Sequence, residues 1–232
     1  MPFTAEEFLA VFRHYNTSVW PTQIALIALA VACVILLVRA RAHASRLIAA
    51  GLALLWCWMA VAYHFAFFAS INRAAIVFGS VFLCEALLLF WYGVRTERLH
   101  FSLTHDVYGL AGIVTIVFAL VGYPLLGLAL GRRYPEAPTF GLPCPTTIFT
   151  LGFLLLARPP APRRILVIPF LWSLLGTMAA TRLGVKEDYS LFAAGLITVG
   201  LALWRDRSMS RTQEPAIPSA ALAPRAVASR GK

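Results

Sequence analysis

Long apolar stretches dominate this chain, and short polar segments separate them. Seven stretches contain no Asp, Glu, Lys or Arg, except for Glu85 in the third: residues 19–38, 47–71, 74–94, 107–131, 137–157, 165–181 and 189–204. A helix crosses a bilayer core of about 30 Å with roughly 20 apolar residues. The pattern therefore predicts an all-α integral membrane protein, a bundle of seven transmembrane helices whose last span is the shortest.

The composition agrees with this class and explains the net charge. The chain has 232 residues, of which 60% are hydrophobic and 13% charged, and its formal net charge is +10. In a soluble protein this charge would suggest a nucleic-acid partner. When alternate loops are assigned to alternate sides of the membrane, most basic residues fall on one side: Arg39, Arg41, Arg46, Arg95, Arg98, Arg158, Arg163, Arg164, Arg205, Arg207, Arg211, Arg225, Arg230 and Lys232. Since basic loops mark the cytoplasmic side, we expect the N-terminus outside, the C-terminus inside and no nucleic-acid partner.

The two ends of the chain differ from the apolar stretches. Thr4 and Glu7 fit an S/T-x-x-E capping box ahead of apolar residues that share one helical face. This predicts a helix at about residues 4–15 along the outer membrane interface, as a structural anchor or, alternatively, as a gating element. Residues 206–232 are rich in Ser, Pro, Ala and Arg without periodicity. We expect a disordered basic cytoplasmic tail there, after a membrane domain of residues 1–205.

Short matches between the first three and the last three stretches suggest an internal repeat. Pro-Thr-x-Ile opens the first and fifth stretches, Leu-Trp occurs in the second and sixth, and a glycine in the third and seventh (Pro21 and Pro145, Trp56 and Trp172, Gly79 and Gly195). These matches favour a parallel 3+1+3 arrangement in which the fourth span links two units of three helices. Such a layout resembles the sugar-transporting SWEET fold. The analogy concerns the fold alone and transfers no substrate.

Near its start the fifth stretch contains Pro-Cys-Pro, in which Cys144 lies between two prolines. A helix tolerates proline best in its first turn, so one interpretation starts the helix at Pro145 and ends it before Pro159. That helix is roughly 21 Å long and does not span a core of about 30 Å. The preceding Gly-Leu-Pro-Cys-Pro segment would then enter the membrane in a non-helical form, which is tolerated only inside protein or beside a wet cavity.

A helix start at Pro145 would leave backbone N–H groups of the first turn free. Those of Thr146, Thr147 and Ile148 would attract anions or the oxygens of polar substrates. The sequence therefore predicts a substrate-binding site with Cys144, Thr146 and Thr147. The alternative is that the prolines only shape a tight outer loop.

Three more polar residues are candidates for function. Glu85 lies near the middle of the third span, where a charge is costly, so we expect a proton-coupling role or else a protonated carboxyl that bonds a neighbouring helix. His64 and Asn72, near the outer end of the second span, are further candidates for substrate binding. His64 could instead be a packing residue. Cys144, His64 and Glu85 could hold a soft metal or relay a proton if they meet, although no spacing requires it.

Several quoted stretches resemble an uncharacterised family of bacterial multi-pass membrane proteins that is known only as a domain of unknown function: FTAEEFLAVFRHYN, INRAAIVFG, RRYPEAPTFGLPCPTTIFTLG and PFLWSLLG. The resemblance covers about residues 1–205 and is most specific at GLPCPTTIF. It implies a membrane fold and no activity. Arginine also greatly outnumbers lysine, which is typical of GC-rich bacterial genomes.

Catalytic signatures are absent from the sequence. There is no Walker loop, no G-x-S-x-G elbow and no dinucleotide fingerprint, so we expect no cofactor and do not favour an enzyme. Gly112 and other glycines are better explained by close helix packing than by ligand binding. The sequence favours a permease of the bacterial inner membrane for a small solute or ion, which could form a homo-oligomer. The alternative is a non-transporting scaffold or sensor whose partner is unknown.

Overall fold

The computed structural model describes residues 2–212, without the side chains of residue 179 and residues 209–212. Its α-helices, in chain order, are α1 (Ala5–Ser18), α2 (Thr22–Arg39), α3 (Ala44–Trp58), α4 (Ala74–Phe90), α5 (Val107–Val117), α6 (Tyr123–Ala129), α7 (Pro143–Leu155), α8 (Val167–Leu183) and α9 (Tyr189–Thr212). Within residues 2–212 there is no β-strand, apart from two isolated bridges. The predicted all-α class is therefore confirmed for the described part of the chain.

Short irregular helices extend several of these elements. Segments of π-helix continue α3, α4 and α5: Met59–Phe65, Trp91–Arg95 and Phe118–Gly122. Segments of 3₁₀-helix follow the first of these and precede α8 and α9: Phe68–Ser70, Arg163–Leu166 and Lys186–Asp188. The third π segment runs directly into Tyr123 and Pro124. Since proline lacks the N–H group that an α-helical turn needs, it accounts for the changed hydrogen bonding at that point.

Five helical segments of the described chain are long and apolar enough to cross a membrane: Thr22–Arg39, Ala44–Ser70, Ala74–Arg95, Val107–Ala129 and Arg163–Leu183. They correspond to the first four predicted spans and the sixth. The helices of the other two predicted spans, α7 and α9, do not meet both conditions, because α7 has 13 residues and the last turns of α9 are polar. The protein thus has the helices of a membrane protein, while the number of seven spans and their orientation stay predictions.

Helix α7 lies at the centre of the bundle. All of its residues except Cys144 are buried, and it packs against α5, α8 and α9. Gly112 and Gly152 allow α5 and α7 to approach closely, since a methyl group on either glycine would lie about 3 Å from the carbonyl oxygen of the other. An enclosed helix does not have to match the thickness of the bilayer. Its position explains why an apolar segment this short is tolerated here.

The start of α7 corrects the sequence prediction. The helix begins at Pro143 rather than Pro145, with Leu142 as its N-cap, so the Pro-Cys-Pro segment is helical. The Thr146 N–H bonds the Leu142 carbonyl at 3.3 Å and is not free for a ligand. The physical reason is that the first N–H groups of a helix have no internal acceptor, so a proline at either position gives up no helical bond.

Helix α1 lies across one end of the bundle. Thr4 and Glu7 form both bonds of the capping box that the sequence predicts. Phe8, Phe12 and Tyr15 are buried against residues from α4, α8, the segment that follows α3 and the N-cap of α7, Leu142. The predicted N-terminal helix exists, and its location at the membrane interface stays a prediction.

Two other predictions concern the C-terminal region. Helix α9 continues to Thr212, so residues 206–212, which we predicted to belong to the disordered tail, are helical. The rest of that tail, residues 213–232, lies outside the described residues. The predicted 3+1+3 repeat also stays a prediction. Helix α7 packs against both α8 and α9, whereas the main contacts of α2 are with α3.

Candidate functional site

A cavity of about 230 Å³ lies between α1 and the helix ends that α1 covers. Its walls are mainly apolar. Aromatic rings come from α1, from the segment that follows α3, from α4 and from α8: Phe8, Phe12, Tyr63, Phe68, Phe78 and Trp172. Asn72, Cys144 and Asp188 add polar groups to this lining. We call this space the aromatic cavity.

Asp188 ends the short 3₁₀-helix before α9 and is 1% exposed. The Tyr123 hydroxyl donates a hydrogen bond to its Oδ1 at 2.5 Å, and the Cys144 thiol donates one to its Oδ2 at 3.2 Å. These three residues bring together the start of α6, the start of α7 and the segment between α8 and α9. We call them the Asp188 cluster.

The neighbouring acid has a different partner. Glu187 is buried and forms an ion pair with Arg132, whose Nε lies 2.7 Å from Glu187 Oε1. The guanidinium of Arg132 also donates to the Gly184 carbonyl at 2.9 Å. Asp188 has no ion-pair partner within residues 2–212. Of these two adjacent acids, only Glu187 is therefore neutralised by a cation.

Burial controls the protonation of Asp188. Removal from water is the largest effect, and it raises the pKa of Asp188 to about 7. The two hydrogen bonds from Tyr123 and Cys144 lower this pKa, but by less. The charge of Glu187 raises the pKa further and that of Arg132 lowers it. Asp188 therefore changes its charge close to neutral pH, where a small change in its surroundings is enough to add or remove a proton.

A second cleft, of about 790 Å³, adjoins the Asp188 cluster. Tyr123, Arg132 and Glu187 line this cleft, whereas Cys144 and Asp188 line the aromatic cavity. The Asp188 cluster therefore contributes residues to the lining of both spaces.

Cys144 and Asn72, both predicted as binding residues, lie in the lining of the aromatic cavity. The side-chain oxygen of Asn72 accepts a hydrogen bond from the Ala74 N–H at 3.1 Å, at the beginning of α4. Thr146 is fully buried, and its hydroxyl oxygen accepts a bond from the Gly141 N–H at 3.0 Å. Thr146 therefore fixes the turn that leads into α7 and is not among the lining residues.

The other three predicted site residues also lie outside the cavity lining. Thr147, His64 and Glu85 are fully buried, and their side-chain polar atoms have no hydrogen-bond partner within the described residues. The imidazole of His64 packs among aromatic rings, with centroids 4.6 Å from Phe82 and 5.3 Å from Trp172. His64 thus has the packing environment that was the alternative interpretation.

The structure does not assemble the metal site considered from the sequence. Within residues 2–212 there is no group of three or more His, Cys, Asp or Glu side chains placed to hold a metal ion, so Cys144, His64 and Glu85 do not form one. Cys144 instead donates its hydrogen bond to Asp188.

Sequence reasoning missed Asp188 and Tyr123. They are 65 positions apart, and no pattern in a single sequence pairs a tyrosine within an apolar span with an acid in a distant loop. A weak signal was present. Glu187 and Asp188 are adjacent acids placed directly before an apolar stretch, where two unpaired charges would be costly to bury.

Comparison with known proteins adds one match. A family of unknown function, DUF6064, matches residues 5–213 of the chain. The comparisons with curated proteins and with solved structures gave no match.

Proposed function

Because this protein belongs to the DUF6064 family, whose function is unknown, we propose from its site alone that it is a membrane permease for a small solute that binds in the aromatic cavity. The binding residues are Cys144, Asn72 and Asp188. The predicted roles of Thr146, Thr147 and His64 change accordingly. They support the walls of the site and do not touch the solute.

The observation that carries this proposal is a buried acid without an ionic partner at the wall of a cavity. A carboxyl group removed from water costs several kcal/mol of folding free energy when it is ionised and unpaired. A protein that used its helices only for assembly would gain nothing from this cost. A solute that pairs with the acid would offset it.

The membrane arrangement completes the proposal. We place the N-terminus outside and the C-terminus inside, with α7 and α9 as the fifth and seventh spans in a bacterial inner membrane. The basic loops support this orientation. The aromatic cavity then lies at the outer end of the bundle, and α1 lies over it.

Two acids are candidates for proton coupling. Glu85 is fully buried in α4 without a partner within the described residues, and it is the acid that the sequence singles out. Asp188 faces the cavity. We favour Asp188, because a coupling group has to contact both the proton and the solute.

Protection of Cys144 from a thiol reagent tests the site. In a variant with Cys33, Cys57 and Cys84 replaced by alanine, Cys144 is the only thiol of the chain. The purified protein in liposomes is treated with N-ethylmaleimide in the presence of candidate solutes. We expect one solute class to slow labelling at least tenfold and the same class to accumulate in the vesicles.

A matched control keeps Cys84 as the only thiol. Cys84 is exposed on α4 and is not among the residues that line the cavity, so no solute should change its labelling. Protection of Cys144 without accumulation would contradict transport and favour the sensor interpretation. Rapid labelling of Cys144 that no solute changes would contradict the site itself.

A further inference from the structure

The aromatic cavity has one charged residue. Of the described residues that line it, Asp188 alone belongs to the Asp, Glu, Lys and Arg types. The partners of Arg132, the cation beside this acid pair, are Glu187 and the Gly184 carbonyl. The cavity therefore presents one unneutralised acid to whatever enters it.

The remaining walls suit an apolar body that carries a positive charge. Tyr63, Trp172 and the phenylalanines of the lining offer ring faces, and a cation within about 6 Å of a ring centroid is attracted by the ring quadrupole. An anion would meet this lining and Asp188 without a compensating cation. A neutral molecule would leave Asp188 unpaired.

The volume sets the size of the occupant. A cavity of about 150 Å³ holds a benzene molecule. The aromatic cavity, at about 230 Å³, has room for a ring with a small substituted amine. Leu175 and Met178, which line it from α8, are exposed on the bundle surface, so the cavity can be reached beside the lipid-facing side of this helix.

We propose that the solute is an organic cation with an apolar, aromatic body, and that its ammonium group pairs with the Asp188 carboxylate in exchange for the proton of that carboxyl group. This inference rests on the proposed permease and names its substrate class. The one bond that breaks is the carboxyl O–H bond, and its proton forms a new O–H bond with water. The carboxyl group releases one proton to water and the ammonium takes its place.

The groups around Asp188 are consistent with such an exchange. Tyr123 from α6 and Cys144 from α7 are neutral hydrogen-bond donors, and Tyr63 adds a phenol to the same lining. Glu187 and Arg132 neutralise each other. Tyr123 also lines the second cleft, a space outside the proposed solute site.

Three probes of similar shape and different charge test the inference: phenyltrimethylammonium, tert-butylbenzene and benzenesulfonate. Their binding to the full chain in lipid nanodiscs is measured by calorimetry. At pH 8 we expect the cation to bind at least tenfold more tightly than the other two. Its charge does not depend on pH, so below pH 7 its affinity should fall about tenfold per pH unit, as protons compete for Asp188.

Two variants distinguish the effect of the Asp188 charge from the effect of other acids at this end of the bundle. Asp188→Asn should lower the affinity for the cation at least tenfold and abolish its pH dependence. Glu6→Gln removes an exposed acid of α1 outside the lining and should leave both unchanged. If the Asp188 variant does not fold, the pH series on the unaltered protein still decides the matter.

Each outcome supports or overturns the inference. Equal or tighter binding of the neutral or anionic probe, no binding of any probe, or binding independent of pH overturns it. Cation binding without transport into liposomes leaves the inference standing and contradicts the permease. A transported solute that protects Cys144 and is not a cation supports the permease and overturns the inference that the solute is a cation.

Discussion

The Cys144 thiol donates a hydrogen bond to Asp188 Oδ2 across 3.2 Å, although the two residues are 44 positions apart. This contact joins the most unusual feature of the sequence, Pro-Cys-Pro, to an acid that the sequence did not single out. It also gives the motif a structural role. The prolines put Cys144 in the first turn of α7. Only the first two residues of this helix, Pro143 and Cys144, line the cavity.

Removal of the Tyr123 hydroxyl should shift the pH dependence of binding upward. In the folded protein this hydroxyl bonds Asp188 Oδ1 and lowers the pKa of the acid, against the larger effect of burial. In Tyr123→Phe the pKa should therefore rise above about 7. We expect the pH midpoint of phenyltrimethylammonium binding to move up by about one to two pH units.

Tyr63→Phe is the matched control, since Tyr63 lines the same cavity but has no hydrogen bond to Asp188 among the described contacts. Its midpoint should stay at the wild-type value. A midpoint that does not move in Tyr123→Phe, or one that moves down, would show that this hydroxyl does not stabilise the carboxylate.

Loss of the Arg132 charge should destabilise the fold. Arg132→Gln leaves Glu187, whose side chain is 1% exposed, without its ionic partner. Breaking one side of a buried pair costs about 3–5 kcal/mol of unfolding free energy. We expect a loss of this order in denaturant unfolding of the protein in detergent micelles.

Two companion variants give this experiment its control. Arg132→Gln combined with Glu187→Gln removes both charges and should recover most of the lost stability. Arg133→Gln, which changes the exposed neighbour, should stay within about 0.5 kcal/mol of the wild type. If the double variant is as unstable as Arg132→Gln, the pairing with Glu187 is not the cause.

The parts of the fold that could be predicted from the sequence are those set by local patterns. The charge-free stretches give the five long apolar helices, and Thr4 with Glu7 gives the start of α1. The start of α7 was placed two residues late, because the pattern does not distinguish between two prolines that both suit a first turn. Gly112 was correctly assigned to helix packing.

The candidate site could be predicted only in part. Cys144 and Asn72 lie in the cavity lining, and their local sequence signalled them. Glu85 was chosen because a charge in an apolar span is costly, and His64 for its place near the outer end of the second span. Neither is among the lining residues, and His64 packs behind the lining, against Trp172. Asp188 acquires its properties from residues 44 and 65 positions away, and such contacts follow from the tertiary packing alone.

The docking of α1 should depend on Asn16. This side chain is fully buried, and its amide nitrogen donates to the carbonyls of Pro135 and Ala137 at 2.6 and 2.9 Å. Its oxygen accepts from Gln23 and Thr139 at 2.8 and 2.7 Å. Asn16→Ala would leave these partners unpaired. We expect a loss of about 2–3 kcal/mol and faster hydrogen exchange of the α1 amides.

Thr17→Ala is the control for Asn16. Thr17 is exposed, and its hydroxyl bonds carbonyls of its own helix at Arg13 and His14. In Thr17→Ala the backbone amides of α1 should show the same hydrogen exchange as in the wild type. Because α1 covers the aromatic cavity, Asn16→Ala should also weaken binding of the cationic probe. Unchanged exchange in α1 would mean that other contacts hold this helix in place.

Two glycine-to-alanine changes test the close approach of α5 and α7. In Gly152→Ala the new methyl carbon would lie 2.9 Å from the Gly112 carbonyl oxygen and 3.0 Å from the Ile116 nitrogen, and these backbone atoms cannot move without shifting a helix. We expect a loss of about 1–3 kcal/mol in the free energy of unfolding.

Gly200→Ala, in α9, is the control. It has no heavy atom within 4 Å of the new carbon and should be neutral or slightly stabilising, because alanine is the better helix former. Since α7 carries Cys144 at its start, a displaced α7 should also weaken its bond to Asp188 and reduce binding of the cationic probe. Wild-type stability of Gly152→Ala would contradict the packing of α7 at the centre of the bundle.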